Sequence, residues 1–69
     1  MEINNKYVVV DCDFLRLRSQ PSLVSEIIDE IPVGSTVFID EKYSNKYFYK
    51  VKYQNKLGYC VKIFIKKVE

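Results

Sequence analysis

Three kinds of side chain in this sequence have chemistry to offer: a pair of carboxylates, two thiols, and aromatic rings interleaved with cations. Asp11 and Asp13 stand two positions apart. Paired carboxylates do acid–base work only where their surroundings drive their pKa values apart. Nothing between Val10 and Phe14 supplies such a contrast, and an exposed acidic turn is the plainer reading. Cys12 and Cys60 lie in apolar runs, Val9-Val10-Asp11-Cys12 and Leu57-Gly58-Tyr59-Cys60-Val61. No Cys-x-x-Cys spacing occurs, which excludes zinc and thioredoxin-like sites on spacing. Histidine is absent, which removes Ser-His-Asp and Cys-His catalysis and the commonest metal ligand. Two buried free thiols fit the pattern best. A disulfide between the first and last strands stays open, and a reactive thiol would need an activating partner. No catalytic residue, metal site or cofactor is expected.

The rings number six Tyr and four Phe, with no Trp. Phe14, Tyr47, Phe48, Tyr59 and Phe64 are the candidates for a binding surface, because an exposed ring stacks on a sugar or clamps a peptide at low entropic cost. Arg16 and Arg18 add forked donors suited to a carboxylate. Plain cover of a core competes with this role, most directly at Phe14 and Phe64.

Charge is lopsided. Residues 1–41 hold three basic and eight acidic side chains, and residues 42–69 eight and one. A basic face for a polyanion is one reading, with Lys46, Lys50, Lys52, Lys56 and Lys62 interleaved with Tyr. Interleaving of strands from the two halves is the other. Nine of the eleven basic residues are Lys, the usual solubilising choice, which favours interleaving. No nucleic-acid partner is expected.

Such chemistry must be carried by a small frame. A chain of 69 residues makes one domain and excludes a multi-domain enzyme. Its compact radius of gyration is roughly 11 Å, and it buries only about 60 % of its unfolded surface. No apolar run approaches the roughly 20 residues of a membrane-spanning helix, so no membrane insertion is expected. No basic start followed by an apolar stretch suggests a signal peptide.

Tyr7–Asp11 reads as a first strand. Phe14–Arg18 alternates with period two, Leu15 and Leu17 on one face and Phe14, Arg16 and Arg18 on the other. Ser19–Ser22 breaks it. Leu23–Ile31 has helical spacing, but Pro32 follows at once, so a loop and a short strand at Ile27–Ile31 are preferred. Pro32-Val33-Gly34 signals a turn, with Pro at the first corner and Gly at positive φ. Ser35–Asp40 is a strand, Glu41–Lys46 a loop, and Tyr47–Tyr53 the clearest strand. Gln54-Asn55-Lys56 turns the chain into Leu57–Val61, and Lys62–Phe64 reads as a 3₁₀ turn before Ile65. The expected core is Leu15, Leu17, Ile28, Ile31, Val37, Ile39, Val51, Cys60 and Ile65.

These blocks resemble the bacterial SH3 domains of cell-wall proteins. Leu15-Arg16-Leu17-Arg18-Ser19-Gln20-Pro21-Ser22 is similar to that family's Leu-Asn-Val-Arg-Ser-Gly-Pro-Ser. Ile28–Val37 is similar to its Ile-Gly-x-Leu-x-x-Gly-x-x-Val. Phe48–Tyr53, Gly58-Tyr59-Cys60 and Phe64-Ile65 are similar to its Trp-Tyr-Lys-Val-x-Tyr, Gly-Tyr-Val and Tyr-Leu. Arg16 stands in place of Asn, Gln20 and Asp29 in place of Gly, and Phe48 in place of Trp. The resemblance covers residues 6–65 of a single domain, 1–69. It implies an all-β fold, a small SH3-like barrel of about five to seven short strands with one 3₁₀ turn near the C-terminus. It also implies a non-catalytic module that binds peptidoglycan (stem peptide, cross-bridge or glycan), with Phe48 as an aromatic platform. The module would be a monomer in isolation. It would target an attached hydrolase, a lysin or a surface protein to the wall, outside the cell and as part of a longer protein. Lys, Ile, Asn and Tyr richness fits the AT-rich genome of a Gram-positive bacterium or its phage. The alternative is a protein-interaction module that takes an extended or Pro-rich segment, or pairs a strand along the Ser35–Asp40 edge.

Overall fold

The computed structural model describes residues 6–68. Seven strands follow one another: β1 Lys6–Val9, β2 Phe14–Arg18, β3 Ile27–Pro32, β4 Thr36–Asp40, β5 Phe48–Tyr53, β6 Lys56–Val61 and β7 Ile65–Lys67. Short 3₁₀ turns occupy Glu41–Tyr43 and Lys62–Phe64. The strands pair antiparallel in one sheet, in the order β3-β2-β6-β5-β4-β1-β7. The basic hairpin β5–β6 is therefore inserted between β2 and β4, and the two charge-biased halves interleave. The radius of gyration is 11.0 Å.

Period-two alternation sends one side of each strand inward. Leu15 and Leu17 of β2, Ile31 of β3, Val37 and Ile39 of β4, Val51 of β5, Cys60 of β6 and Ile65 of β7 meet in one cluster. Tyr7 and Val9 of β1 complete it. Each fully buried aliphatic there contributes roughly 1.5–3 kcal/mol over exposure. Ile28, expected inside, is 41 % exposed. The register slips between Leu17 and Arg18, so that Leu17 faces Asp29 and Arg18 faces Ile27. Ile28 is the extra residue of that bulge and drops out of the alternation.

Polar side chains set the strand ends. β1 stops at Val9 rather than Asp11, because Asp11 turns at φ 60. β5 starts at Phe48 rather than Tyr47, because Asn45 Oδ1 accepts from both the Tyr47 and Phe48 amides. Only Gln54 and Asn55 form the hairpin turn, at φ 49 and 69, and Lys56 already pairs with Tyr53. Both signs match the mirror-image turn that two-residue hairpins favour. Ser35 N–H donates to Pro32 O, so Val33 takes the first corner and Pro32 ends β3, with Gly34 at φ 88. Asp40 caps a 3₁₀ turn at Glu41–Tyr43 where a loop was expected. Residues 19–26 form a loop, as the sequence suggests. Ser19 N–H closes it onto Glu26 O, and Ser25 Oγ donates to Ser22 O and Gln20 O. β4 lies between β5 and β1 and has no free edge; the open edges are β3 and β7.

The tightest point is Gly58, where β6 passes from β5 to β2. A Cβ there would stand 2.5 Å from Arg18 O and 2.9 Å from Leu17 side-chain atoms. Gly34 has open space and only its left-handed φ to defend. Gly58→Ala is expected to cost roughly 1–3 kcal/mol or more, and Gly34→Ala roughly 1–2 kcal/mol. Denaturant unfolding of both variants checks the order.

Two buried groups hold their protons tightly. Tyr7 donates its hydroxyl to Glu41 Oε2 at 2.6 Å; that bond, burial and the carboxylate charge push the phenol from 10.0 to about 12. Burial pushes the Cys60 thiol from 9.0 to about 12, against the opposing pull of Arg18. In both cases the folded state keeps a proton that the unfolded chain releases first. Their contribution is complete below pH 9.0 and is lost as pH rises toward about 12. Tyr7→Phe should lower stability by about 1 kcal/mol at neutral pH and flatten the alkaline decline. Denaturation midpoints of both proteins across that range test this; equal slopes would refute the assignment.

Candidate functional site

β2 turns Phe14, Arg16 and Arg18 to the outer surface, and Arg18 pairs with Tyr59 of β6. β6 then runs through Val61 into the 3₁₀ turn that ends in Phe64. Val10 N–H donates to Phe64 O at 2.8 Å and fixes that turn against the end of β1. The result is an open groove of about 450 Å³. Phe14, Arg16, Arg18, Val61 and Phe64 line it, with Leu23 from the 19–26 loop. Four of the seven residues singled out in the sequence thus converge, including the two rings best suited to plain packing.

The two arginines differ in role. Among the described residues, the Arg16 guanidinium has no hydrogen-bond or ion-pair partner. It lies across the ladder from Glu30, which also lines the groove. Arg18 is half-buried, and its Nη1 donates to Leu23 O at 2.9 Å and Ser25 O at 3.1 Å. Arg18 is therefore first of all the anchor of the loop that forms one wall. A cation beside two apolar rings, on an apolar base, suits a carboxylate-bearing ligand with a flat or aliphatic body.

The other three candidates fall outside the groove. Phe48 is 7 % exposed, so the expected open platform does not exist. Its strand face is the outer one, but the 41–47 segment folds back over the start of β5. Asn45 Oδ1 takes the Phe48 amide, and Ser44 Oγ takes that of Lys50. Phe48 is buried apart from the main core cluster, opposite Val61 in the ladder. Tyr59 is half-buried, with Lys50 Nζ 5.0 Å from its ring centre. Tyr47 is 65 % exposed beside Lys46 and does not line the groove.

Sequence reasoning missed Cys12, Asp13, Leu15, Leu23, Glu30 and Val61 as groove residues. Leu23 carried a signal, an apolar residue two past Pro21 in a polar loop; the others depend on pairings that alternation does not reveal. Both thiols are free. Cys12 is half-buried rather than buried, and desolvation, then Asp13 and Asp11, push its thiol up. A thiol so disposed is a poor nucleophile. Asp11 and Asp13 form an exposed turn. No cluster of His, Cys, Asp and Glu able to hold a metal occurs among the described residues, and no helix among them is long and apolar enough to cross a membrane.

Comparison with curated proteins finds no match. The family description "Bacterial SH3 domain" matches residues 13–66, from the turn before β2 to the middle of β7. β1 lies ahead of that span yet supplies Tyr7 and Val9 to the same core. Domains of this kind are often binding modules and generally non-catalytic. The outward residues of β2, the Arg18-anchored loop, the tight β5–β6 hairpin and the 3₁₀ turn before the last strand all fall within the matched residues, and the chain belongs to the bacterial SH3 domain family.

Proposed function

We propose that the domain is a non-catalytic targeting module that binds peptidoglycan through the Phe14–Phe64 groove. The observation that carries this reading is the convergence of Phe14, Phe64 and the unpartnered Arg16 guanidinium on one open groove. A stem peptide or cross-bridge offers an extended body for the rings and a carboxylate for Arg16. In a longer protein outside the cell, such a module concentrates an attached hydrolase or surface domain on an insoluble substrate.

The test is co-sedimentation with intact walls, walls stripped of teichoic acid and walls stripped of stem peptides, with unfolding measured in parallel. Binding should survive removal of teichoic acid and fall on removal of peptides. Phe14→Ala and Arg16→Ala should each weaken binding by roughly 1–3 kcal/mol and cost under about 1 kcal/mol of stability. Phe48→Ala should do the opposite, losing roughly 3–5 kcal/mol of stability as a buried ring. Unchanged binding by the Phe14 and Arg16 variants would remove the groove from the function.

A further inference from the structure

A second groove, of about 490 Å³, opens on the outer face of β4, β5 and β6 and shares no lining residue with the first. Strand register builds it. Phe38 faces Lys52 and Lys52 faces Leu57, giving one row across three strands. Asp40, Lys50 and Tyr59 form the next row. Tyr43, from the 3₁₀ turn after β4, closes one side. Phe38, Tyr43 and Leu57 are 54 %, 58 % and 59 % exposed. A chain this small had aliphatics enough for its core without them.

We propose that this groove binds an acidic, extended polypeptide segment, with an apolar side chain held among Phe38, Tyr43 and Leu57 and carboxylates set on Lys50 and Lys52. Charge selects the acid. Among the lining residues Lys50 and Lys52 outnumber Asp40, whose Oδ1 is engaged by the Lys42 amide at 3.2 Å. Lys50 Nζ lies 6.0 Å from the Tyr43 ring centre and Lys42 Nζ 5.6 Å, so ammonium groups border the ring. Spacing selects an extended chain, since apolar and cationic positions alternate across the strands as side chains alternate along a strand. Leu57 selects against a glycan, because an aliphatic side chain gives no flat face for a sugar. Concavity selects against a bilayer, which meets a protein as a plane. The inference stands independently of peptidoglycan binding in the first groove.

The experiment is amide chemical-shift mapping of the ¹⁵N-labelled domain with two capped peptides, acetyl-Glu-Leu-Glu-Phe-Glu-amide and its Lys-for-Glu counterpart. Saturable shifts at Phe38, Tyr43 and Leu57, tighter than about 1 mM for the acidic peptide only, support the proposal. Leu57→Ser and Lys52→Glu, both at exposed positions, should weaken that binding roughly tenfold or more while thermal unfolding is unchanged. Several results overturn the proposal: shifts confined to the Arg16–Phe64 groove, equal binding of the basic peptide, or no saturation. So does retention by phosphatidylglycerol vesicles through Leu57 without peptide binding, which would make the face a membrane contact. Wall sedimentation of the Leu57→Ser domain separates the two sites, and its retention there leaves the first groove's role intact.

Discussion

The contact between β6 and the Arg18 carbonyl is the constraint on which the rest of the fold depends. Glycine at position 58 lets the backbone of β6 close against β2 where any Cβ would collide with Arg18 O. That approach joins the β2–β3 hairpin to the β6–β5–β4 sheet through the pairing of Arg18 with Tyr59. Without it the outer face of β2 would not meet Val61, and Phe14 and Phe64 would not share a groove. Arg18 sits at this junction twice over. Its carbonyl meets β6, and its guanidinium holds the loop that walls the groove. A second tie runs from Lys56 Nζ to Asp29 Oδ2 at 2.8 Å, linking β6 to β3. The Lys56 ammonium, then the Glu30 amide, lowers the Asp29 pKa, though both partners face water and screening keeps the tie slight.

Charge follows from the same topology. The acidic first half and basic second half of the sequence alternate through the sheet, which spreads the field instead of concentrating it. Several lysines lean over tyrosine rings, among them Lys62 at 4.9 Å from the centre of Tyr49. The basic second half is thus in good part a ring-associated surface, with one local excess around the β4–β5–β6 groove.

Much of this was legible in the residues. Alternation placed β2, β4 and β5, and it oriented β2 and β4, because each of those two buries one face only. The order of strands was not legible from periodicity, which says which side of a strand is wet but not which strand lies beside it. For that reason β4 looked like an available edge. Ile28 looked buried because a bulge is invisible to a period-two count. Phe48 looked open because it lies on the strand face opposite buried Val51, and nothing in the period-two count shows that Ser44 and Asn45 bind the preceding segment back onto the start of β5. Arg16 and Arg18 read alike in sequence; only the backbone carbonyls near Arg18 distinguish an anchor from a free cation.

The neighbouring placement of β1 and β7 has a mechanical consequence. Tyr7 faces Lys67, and Val68 N–H donates to Lys6 O at 3.0 Å, so the chain enters and leaves the domain at one point. Tension applied through the two ends therefore loads that pair at its open end and peels its hydrogen bonds singly, like a zipper. Strands pulled past one another in shear would instead share the load over all their bonds. A pull on the two ends would meet little resistance from β1 and β7. The β4–β5–β6 groove, carried by inner strands, would feel the force late, whereas the first groove, whose Phe64 directly precedes β7 and bonds to Val10, would feel it as soon as that pair had opened.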